Sequence, residues 1–516
     1  MSFQSGFNNV ASMICTENGA LGYDYTKVIE HPLVQCLYGV ASQEDNNVDT
    51  NKCLKIFNAY CNDLLNNRTD EQAINYLIRF AFLTRDISGQ GRRDLGRRLI
   101  LNIINFEKLT ADQIVNLLAN EKYGRWDDVL WLIDNINTDT VYNQEFHDRL
   151  VHLVIQQLIS DISTLTAKKC EAHISLLAKW MPSINTSSSE TRKNAINWIG
   201  RLNMTNKSYR QMLSKLRKQI DIVERKICSN QWNKIEFEKV PSQAINRYRN
   251  TFYNHDYEGR FTKYIEDVTN NKAKINTSTL SVPEIVHDYC QDLNCDSAIE
   301  ALWNNVKSVK FDRPIIPVCD VSGSMLSPVC GMKLTALDVS VGLSIFFAQN
   351  NIGSYHNKII AFTHQAECID LDECSSLWEK VRLTLSHCGY NTNVENVLQT
   401  VLDIAIKSSD NSTDIPTLVF FSDMEFDEQC RDASVANTIF ENYRNKFKAA
   451  GFEFPKIVFW NINNRSGAIQ MTENPNGLIE CSGFSQNMFD MIISDDYDSW
   501  HALKRILDGD RYSKII

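Results

Sequence analysis

From about residue 50 to residue 300 the apolar residues recur at spacings of three and four. The segments DEQAINYLIRFAFLTRD (70–86), TADQIVNLLANEKYGRWDDVLWLIDNI (110–136) and QEFHDRLVHLVIQQLISDIS (144–163) place Leu, Ile, Val and aromatics on one face of a helix. Thr69 or Asp70, and Thr110, stand where N-caps are expected. Proline is nearly missing from this stretch, and strand-type alternation is absent. The pattern predicts stacked helical pairs, although no repeat period is regular enough to define the unit.

At Pro314 the texture changes. IIPVCDVSGSM is a short buried-strand pattern running into a loop of small residues, and LTALDVSVGLSIFFAQN is a helix apolar on several sides. NKIIAFT, TLVFFSDMEF, PKIVFWNI and GLIECSG read as strands; VENVLQTVLDIAIKSS, DASVANTIFENYRNKFKAAGFEF (ending near Gly451) and FSQNMFDMII read as helices. Alternating strands and helices predict a doubly wound, mostly parallel sheet, with ligands at the carboxyl ends of its strands. The expected architecture is α + α/β: an extension over 1–48 packed on the body, an all-helical domain over 49–305, and a sheet domain with a C-terminal helix over 306–516.

Composition narrows the function classes. Apolar residues at 43% and charged residues at 22% fit a folded globular chain. The start has no secretory signal, and no apolar run reaches the roughly 20 residues that span a bilayer. Fifteen cysteines are scattered with no C-x-x-C, which reads as reduced thiols in a cytoplasmic protein. There is no H-E-x-x-H, P-loop or G-x-S-x-G. The net charge of -10 is unevenly placed: Met1–Glu300 carries 35 Lys+Arg against 36 Asp+Glu, the remainder 18 against 27. Within the first part, Arg192–Arg249 holds 14 basic and 4 acidic residues. Arg210, Lys215, Arg217, Lys218, Arg225 and Lys226, with Tyr209, form an aromatic-basic stripe that fits either phosphate contact or a solvated face.

Asp320-Val321-Ser322-Gly323-Ser324 follows the first strand of the C-terminal part. It resembles the D-x-S-x-S pattern of the metal-ion-dependent adhesion site (MIDAS) of von Willebrand factor A domains. That resemblance calls for a threonine on a second loop and an aspartate after a later strand. GYNTN supplies Thr392, and TLVFF ends in Ser422-Asp423. It implies a Mg2+ (or Mn2+) site built from Asp320, Ser322, Ser324, Thr392 and Asp423, with the hydroxyls as direct ligands and the carboxylates holding waters. Mg2+ takes six hard oxygens near octahedral geometry, and alternate residues of an extended loop turn both serines toward one point. An acidic group from a partner could take the remaining position. The alternative is a turn in which a serine caps the next helix. Thr335 reads as a helix cap, and Lys333 as a solvated lysine or an anion-attracting one.

Further segments extend the resemblance: TENGALGYD (16–24), FLTRDISGQGRRDLG (82–96), KYGRWDDVLWLID (122–134), SLLAKWMPS (175–183), SYRQMLSKLRKQIDIVE (208–224) and WNKIEFEKVPSQA (232–244). They are similar to a family pairing a helical domain with a MIDAS-bearing A domain, in organisation like the Ro autoantigen (TROVE) family. That likeness implies a solenoid or ring of HEAT-like repeats and a non-enzymatic, RNA-binding ribonucleoprotein role. The rival is a protein-interaction scaffold, such as an assembly or virion component, that binds an acidic partner through the MIDAS. A hydrolase is disfavoured because no general base stands beside the open coordination position. Taken as residues alone, Arg85, Arg92, Arg93, Arg97 and Arg98 predict ion pairs with Asp86 and Asp94, and Trp126 and Trp131 predict packing aromatics.

Overall fold

The computed structural model describes residues 13–16, 18–39, 48–66, 70–121, 123–166, 174–220, 223–277, 280–291, 294–329, 333–362, 365–389, 393–407, 415–426, 438–463, 466–469, 471, 474, 476–483 and 498–516. They form two compact units, one of residues 71–87, 92–236 and 515–516, the other of 1–70, 88–91 and 237–514.

The first unit is helical. Its helices include α1 (Glu71–Arg85), α2 (Arg93–Ile103), α3 (Trp126–Asn135), α4 (Val141–Thr166), α5 (Leu177–Trp180) and α6 (Asn206–Gln219). The expected helix over 110–136 is interrupted. It begins at Ala111 behind a Thr110–Gln113 capping box, widens into a π-turn over Asn116–Asn120, and stops before α3. Gly124 stands in the break, where a Cβ would meet Asp128 Oδ2 at 2.6 Å and Leu118 Cδ2 at 2.7 Å, so the close approach of these side chains leaves room only for glycine. α1 and α2 approach equally closely, with an added Cβ on Gly96 falling 2.6 Å from the Arg85 Cα.

The second unit holds a six-stranded sheet of β1 (Ile315–Asp320), β2 (Lys358–Phe362), β3 (Ala366–Asp370), β4 (Thr417–Ser422), β5 (Ile457–Asn461) and β6 (Leu478–Ser482), in the order β3-β2-β1-β4-β5-β6. All pairings are parallel except β2 with the edge strand β3. The five strands read from sequence are β1, β2, β4, β5 and β6. β3, with its exposed polar positions, has no apolar run to announce it. The expected helix FSQNMFDMII lies outside the described residues.

The packing unit runs across the boundary expected at 305/306. Helix Ala336–Asn350 is buried on nearly every side, so the sheet alone cannot cover it. Helix Val282–Cys290 supplies the second cover. Its Val282 and Val286 lie 3.2 and 3.0 Å from where a Cβ on Gly342 would stand, and His287 Nδ1 lies 2.8 Å from Asp338 Oδ2. The helices from 237 to 304 therefore belong with the sheet. The N-terminal segment joins them too. Leu21–Asp24 pairs with Met13–Cys15 and with Ala468–Ile469. Thr16 Oγ1 donates to the Phe426 carbonyl (2.6 Å) and Asn18 Nδ2 to that of Glu425 (2.5 Å). Asn461 Nδ2 and Ser482 Oγ donate to carbonyls of Tyr38 and Leu37, at the end of helix Pro32–Gly39. Among the described residues no helix is long and apolar enough to cross a membrane.

Candidate functional site

β1 and β4 run side by side, Cys319 opposite Phe421, so Asp320 and Ser422 leave the sheet at the same level. Asp320 Oδ1 accepts from the Ser322 amide (3.0 Å), and Asp320 Oδ2 from the Ser422 hydroxyl (2.5 Å). The Ser422 oxygen in turn accepts from the Met424 amide (3.0 Å), and Asp423 Oδ1 from the Glu425 amide (3.2 Å). This winding holds Met424 at φ 61°, a left-handed conformation uncommon for a side chain of its size. Ser322 and Ser324 turn the same way, their hydroxyl oxygens 3.1 Å apart. Asp320, Ser422, Asp423 and Glu425 are fully buried, and Ser322 is 2% exposed.

The second loop reaches the same place. Gly389 bridges Ser322 in parallel fashion, and its amide lies 3.4 Å from the Val321 carbonyl. Thr392, three residues on, lies outside the described residues. Of the five expected metal-site residues, the structure thus gathers Asp320, Ser322, Ser324 and Asp423 on adjacent strand ends. Thr335 caps the following helix in a capping box with Asp338, and Lys333 is exposed. His287 holds its proton above the usual imidazole range because its ring bonds to Asp338. Sequence reasoning missed Ser422 and Glu425; the buried-strand run ending in S-D-M-E was the signal, since polar residues directly after a fully apolar strand face the ligand edge of the sheet. Among the described residues no group of three or more His, Cys, Asp or Glu is placed to hold a metal ion. Any cation at this edge would depend on hydroxyl oxygens.

The basic stripe divides into two roles. α6 is capped by Thr205 and buries Tyr209, Met212, Leu213 and Leu216 on one side. Arg217 stands apart from the rest of the phosphate-binding set, because three of its donors are used inside the unit: Nε on the Ala178 carbonyl (2.8 Å), Nη2 on that of Met181 (2.6 Å) and Nη1 on Ser183 Oγ (2.8 Å). Burial lowers its pKa below the usual guanidinium range. Tyr209 is fully buried, its hydroxyl donating to the Pro182 carbonyl at 2.9 Å, and burial moves its phenol well up. Arg210, Lys215 and Lys218 are exposed. Lys207, not singled out from sequence, joins Arg210, Gln211, Ser214 and Lys215 around an open depression on that face. Its spacing of three from Arg210 was the available signal. Arg225 is exposed and reaches the Arg217 carbonyl (3.0 Å), while Lys226 is half-buried.

The segments FLTRDISGQGRRDLG and KYGRWDDVLWLID meet in a buried ion cluster. Asp128 accepts from Arg85 Nη2 (2.5 Å), Arg97 Nε (2.5 Å) and the Arg125 amide (2.7 Å), while Arg97 Nη2 reaches Asp127 (2.6 Å). Arg85 and Arg97 pair with Asp127 and Asp128, and Asp94 makes a 3.8 Å contact with Arg97 and a surface pair with Arg93. Trp126 is buried packing, as its spacing implied.

Comparison with known proteins gives the following likenesses. Residues 315–505, beginning at the first residue of β1, match a domain of unknown function (DUF7788), and residues 185–311 match another (DUF2828). The uncharacterized protein L728 of Acanthamoeba polyphaga mimivirus is 29% identical over 467 residues, covering 84% of this chain and 79% of that one. The crystal structure of the Deinococcus radiodurans Ro (RSR) protein spans 90% of each chain at 14% identity, with a TM-score of 0.37, a likeness too distant to bear on fold or function. The chain is thus similar to two domains of unknown function and, over most of its length, to a viral protein.

Proposed function

We propose that this chain is a non-enzymatic RNA-binding protein with Ro-like division of labour. A helical, HEAT-like unit offers a basic face to phosphates, and a von Willebrand factor A-type domain holds Mg2+ at Asp320, Ser322, Ser324, Thr392 and Asp423. The observation that carries the RNA half is α6: its outer face bears Lys207, Arg210, Lys215 and Lys218, and the helix contains no acidic residue. Phosphate contacts of this kind make affinity fall with salt by about 0.7 log units per log unit for each neutralised phosphate on a single strand. Replacing Arg210, Lys215 and Lys218 with Glu should weaken every RNA sequence by similar factors, because phosphate contacts do not read bases. Wild-type protein that binds no RNA at about 50 mM salt would sink this half.

The metal half rests on the donor set. Mg–O distances of about 2.0–2.1 Å put neighbouring octahedral ligands about 2.9 Å apart, and the Ser322 and Ser324 oxygens stand 3.1 Å apart beside two buried carboxylates. A cation bound there would supply an electrophilic centre for an acidic group. The chain's own part is to fix the hydroxyls through Asp320 and Ser422 and to keep the strand ends buried. Mg2+ or Mn2+ at 100 times its Kd should stabilise the protein by about 2.7 kcal/mol. Asp320→Ala with Ser322→Ala should abolish that shift, and a wild-type melting curve indifferent to EDTA would overturn the site.

Leu326 favours a second reading. It is 61% exposed two residues after Ser324, an apolar contact beside the cation position. A protein partner with a carboxylate next to an apolar side chain would fit both, as in an assembly or virion scaffold. Pull-down that depends on Mg2+ and is lost in Leu326→Asp would support it over the RNA role.

A further inference from the structure

The motif SLLAKWMPS, which neither half of the proposed function uses, forms a small rigid surface of the helical unit. α5 packs against α3, α4 and α6. The residues around it are held from α6 by Arg217, on the carbonyls of Ala178 and Met181, and by Tyr209, on the carbonyl of Pro182. Among the same unit's tryptophans, Trp126 and Trp198 are buried; Trp131 and Trp232 are partly exposed, and so is the ring of Trp180. The Arg125 guanidinium lies 5.7 Å from its centroid and the Lys179 ammonium 5.4 Å. Both cations are exposed, and among the described residues neither forms an ion pair. Those distances lie at the outer reach of cation–π attraction, beyond a close stack on the ring.

The geometry points to Trp180 as a stacking platform for one unpaired nucleobase, with Arg125 and Lys179 closing on the phosphates that flank it. The inference rests on the RNA reading of α6 and sharpens it: the ligand class is single-stranded. A base in a duplex has its faces covered by its neighbours, whereas an unpaired one can lie on an indole regardless of its identity. A rigid backbone beneath the ring matters because a platform that had to be ordered on binding would lose part of the stacking gain. Long, exposed basic side chains need only rotate outward to meet phosphate oxygens while the ring keeps the base.

The test compares labelled single-stranded RNA of about a dozen nucleotides with an abasic strand of equal length and charge, by fluorescence anisotropy on the full chain. The wild type should prefer the strand that carries bases. Trp180→Ala should lower affinity for it roughly 5- to 150-fold, the range of one stacked base. Affinity for the abasic strand and the salt slope should stay unchanged, and Trp180→Phe should restore much of the preference. A wild type with no preference for bases overturns the platform, and so does a Trp180→Ala variant that keeps the preference; in both, the charge reversals on α6 still weaken binding, so the RNA reading survives. Equal loss on both strands with a lowered melting temperature means a purely structural tryptophan and also overturns it. Absence of binding to either strand by the wild type removes the RNA reading itself.

Discussion

In the helical unit Asp128 lies between two guanidinium groups, Arg85 and Arg97, and all three are more than nine-tenths buried. At the edge of the sheet Asp320 and Asp423 are equally buried, but amides and hydroxyls hold them. The first arrangement carries its counter-charge within the fold; in the second, backbone amides and a serine hydroxyl donate to the carboxylates. Burying charge is tolerated only where something balances it. Two clusters of similar burial are therefore held differently: one by ion pairs between helices, the other by hydrogen bonds from neutral groups, which is the contrast the proposed cation site rests on.

The sharpest way to break this contrast is to remove Asp128. Asp128→Ala leaves the buried Arg85 guanidinium without its acceptor and Arg97 with Asp127 alone, and should cost about 3–5 kcal/mol, read as a lower urea midpoint. If the variant unfolds like the wild type, the cluster is not what joins α1, α2 and α3. Next in size, Arg217→Ala should cost about 1–3 kcal/mol through the carbonyls of Ala178 and Met181 that it leaves behind. Lys218→Glu, one residue along, should change stability by less than about 0.5 kcal/mol. Equal effects of the two substitutions would erase the division between strut and surface charge.

Much of the sheet was legible from sequence because its strands are fully apolar runs, and the loop after β1 was marked by its D-x-S-x-S spacing together with Asp423 after β4. The roles of the basic residues were not. Lys215, Arg217 and Lys218 look alike in composition, and only the buried face set by Tyr209, Met212, Leu213 and Leu216 shows that Arg217 turns toward the fold. The partners of Arg85 and Arg97 were hidden for another reason: they lie about 30 to 40 residues away, where helical periodicity carries no information.

Two further groups of the sheet unit make stability depend on pH. Glu480, on β6, is buried beside the Ser499 hydroxyl, and burial raises its pKa to about 7. A carboxyl raised in the folded state keeps its proton there while the unfolded chain loses it. Stability from this group is complete below about pH 4.5, falls as pH rises toward 7, and stays reduced above that. Glu480→Gln should thus flatten the pH profile, with a gain on the order of 2–3 kcal/mol at pH 8 and none at pH 4. A gain equal at both values would show that the effect is packing. Smallest of all, His287 gains from Asp338 only while protonated. Its contribution is present below pH 6.5 and lost as pH rises through the raised value; His287→Ala should remove a dependence worth about 1 kcal/mol or less.

The hydrogen bonds of Thr16, Asn18 and the carbonyls of Leu37 and Tyr38 to strand ends more than 400 residues later set an order of events on the ribosome. These first residues emerge early, but the edge they close does not exist until β6 has been made. At about 5–20 residues per second, that interval is on the order of 20 to 90 s, during which Tyr23, Leu33, Val34 and Leu37 have no native surface from the sheet to cover them. Contacts of such separation also close slowly once possible. The N-terminal segment thus locks only after β6 has been made, and until then its apolar residues stay open to chaperones and proteases.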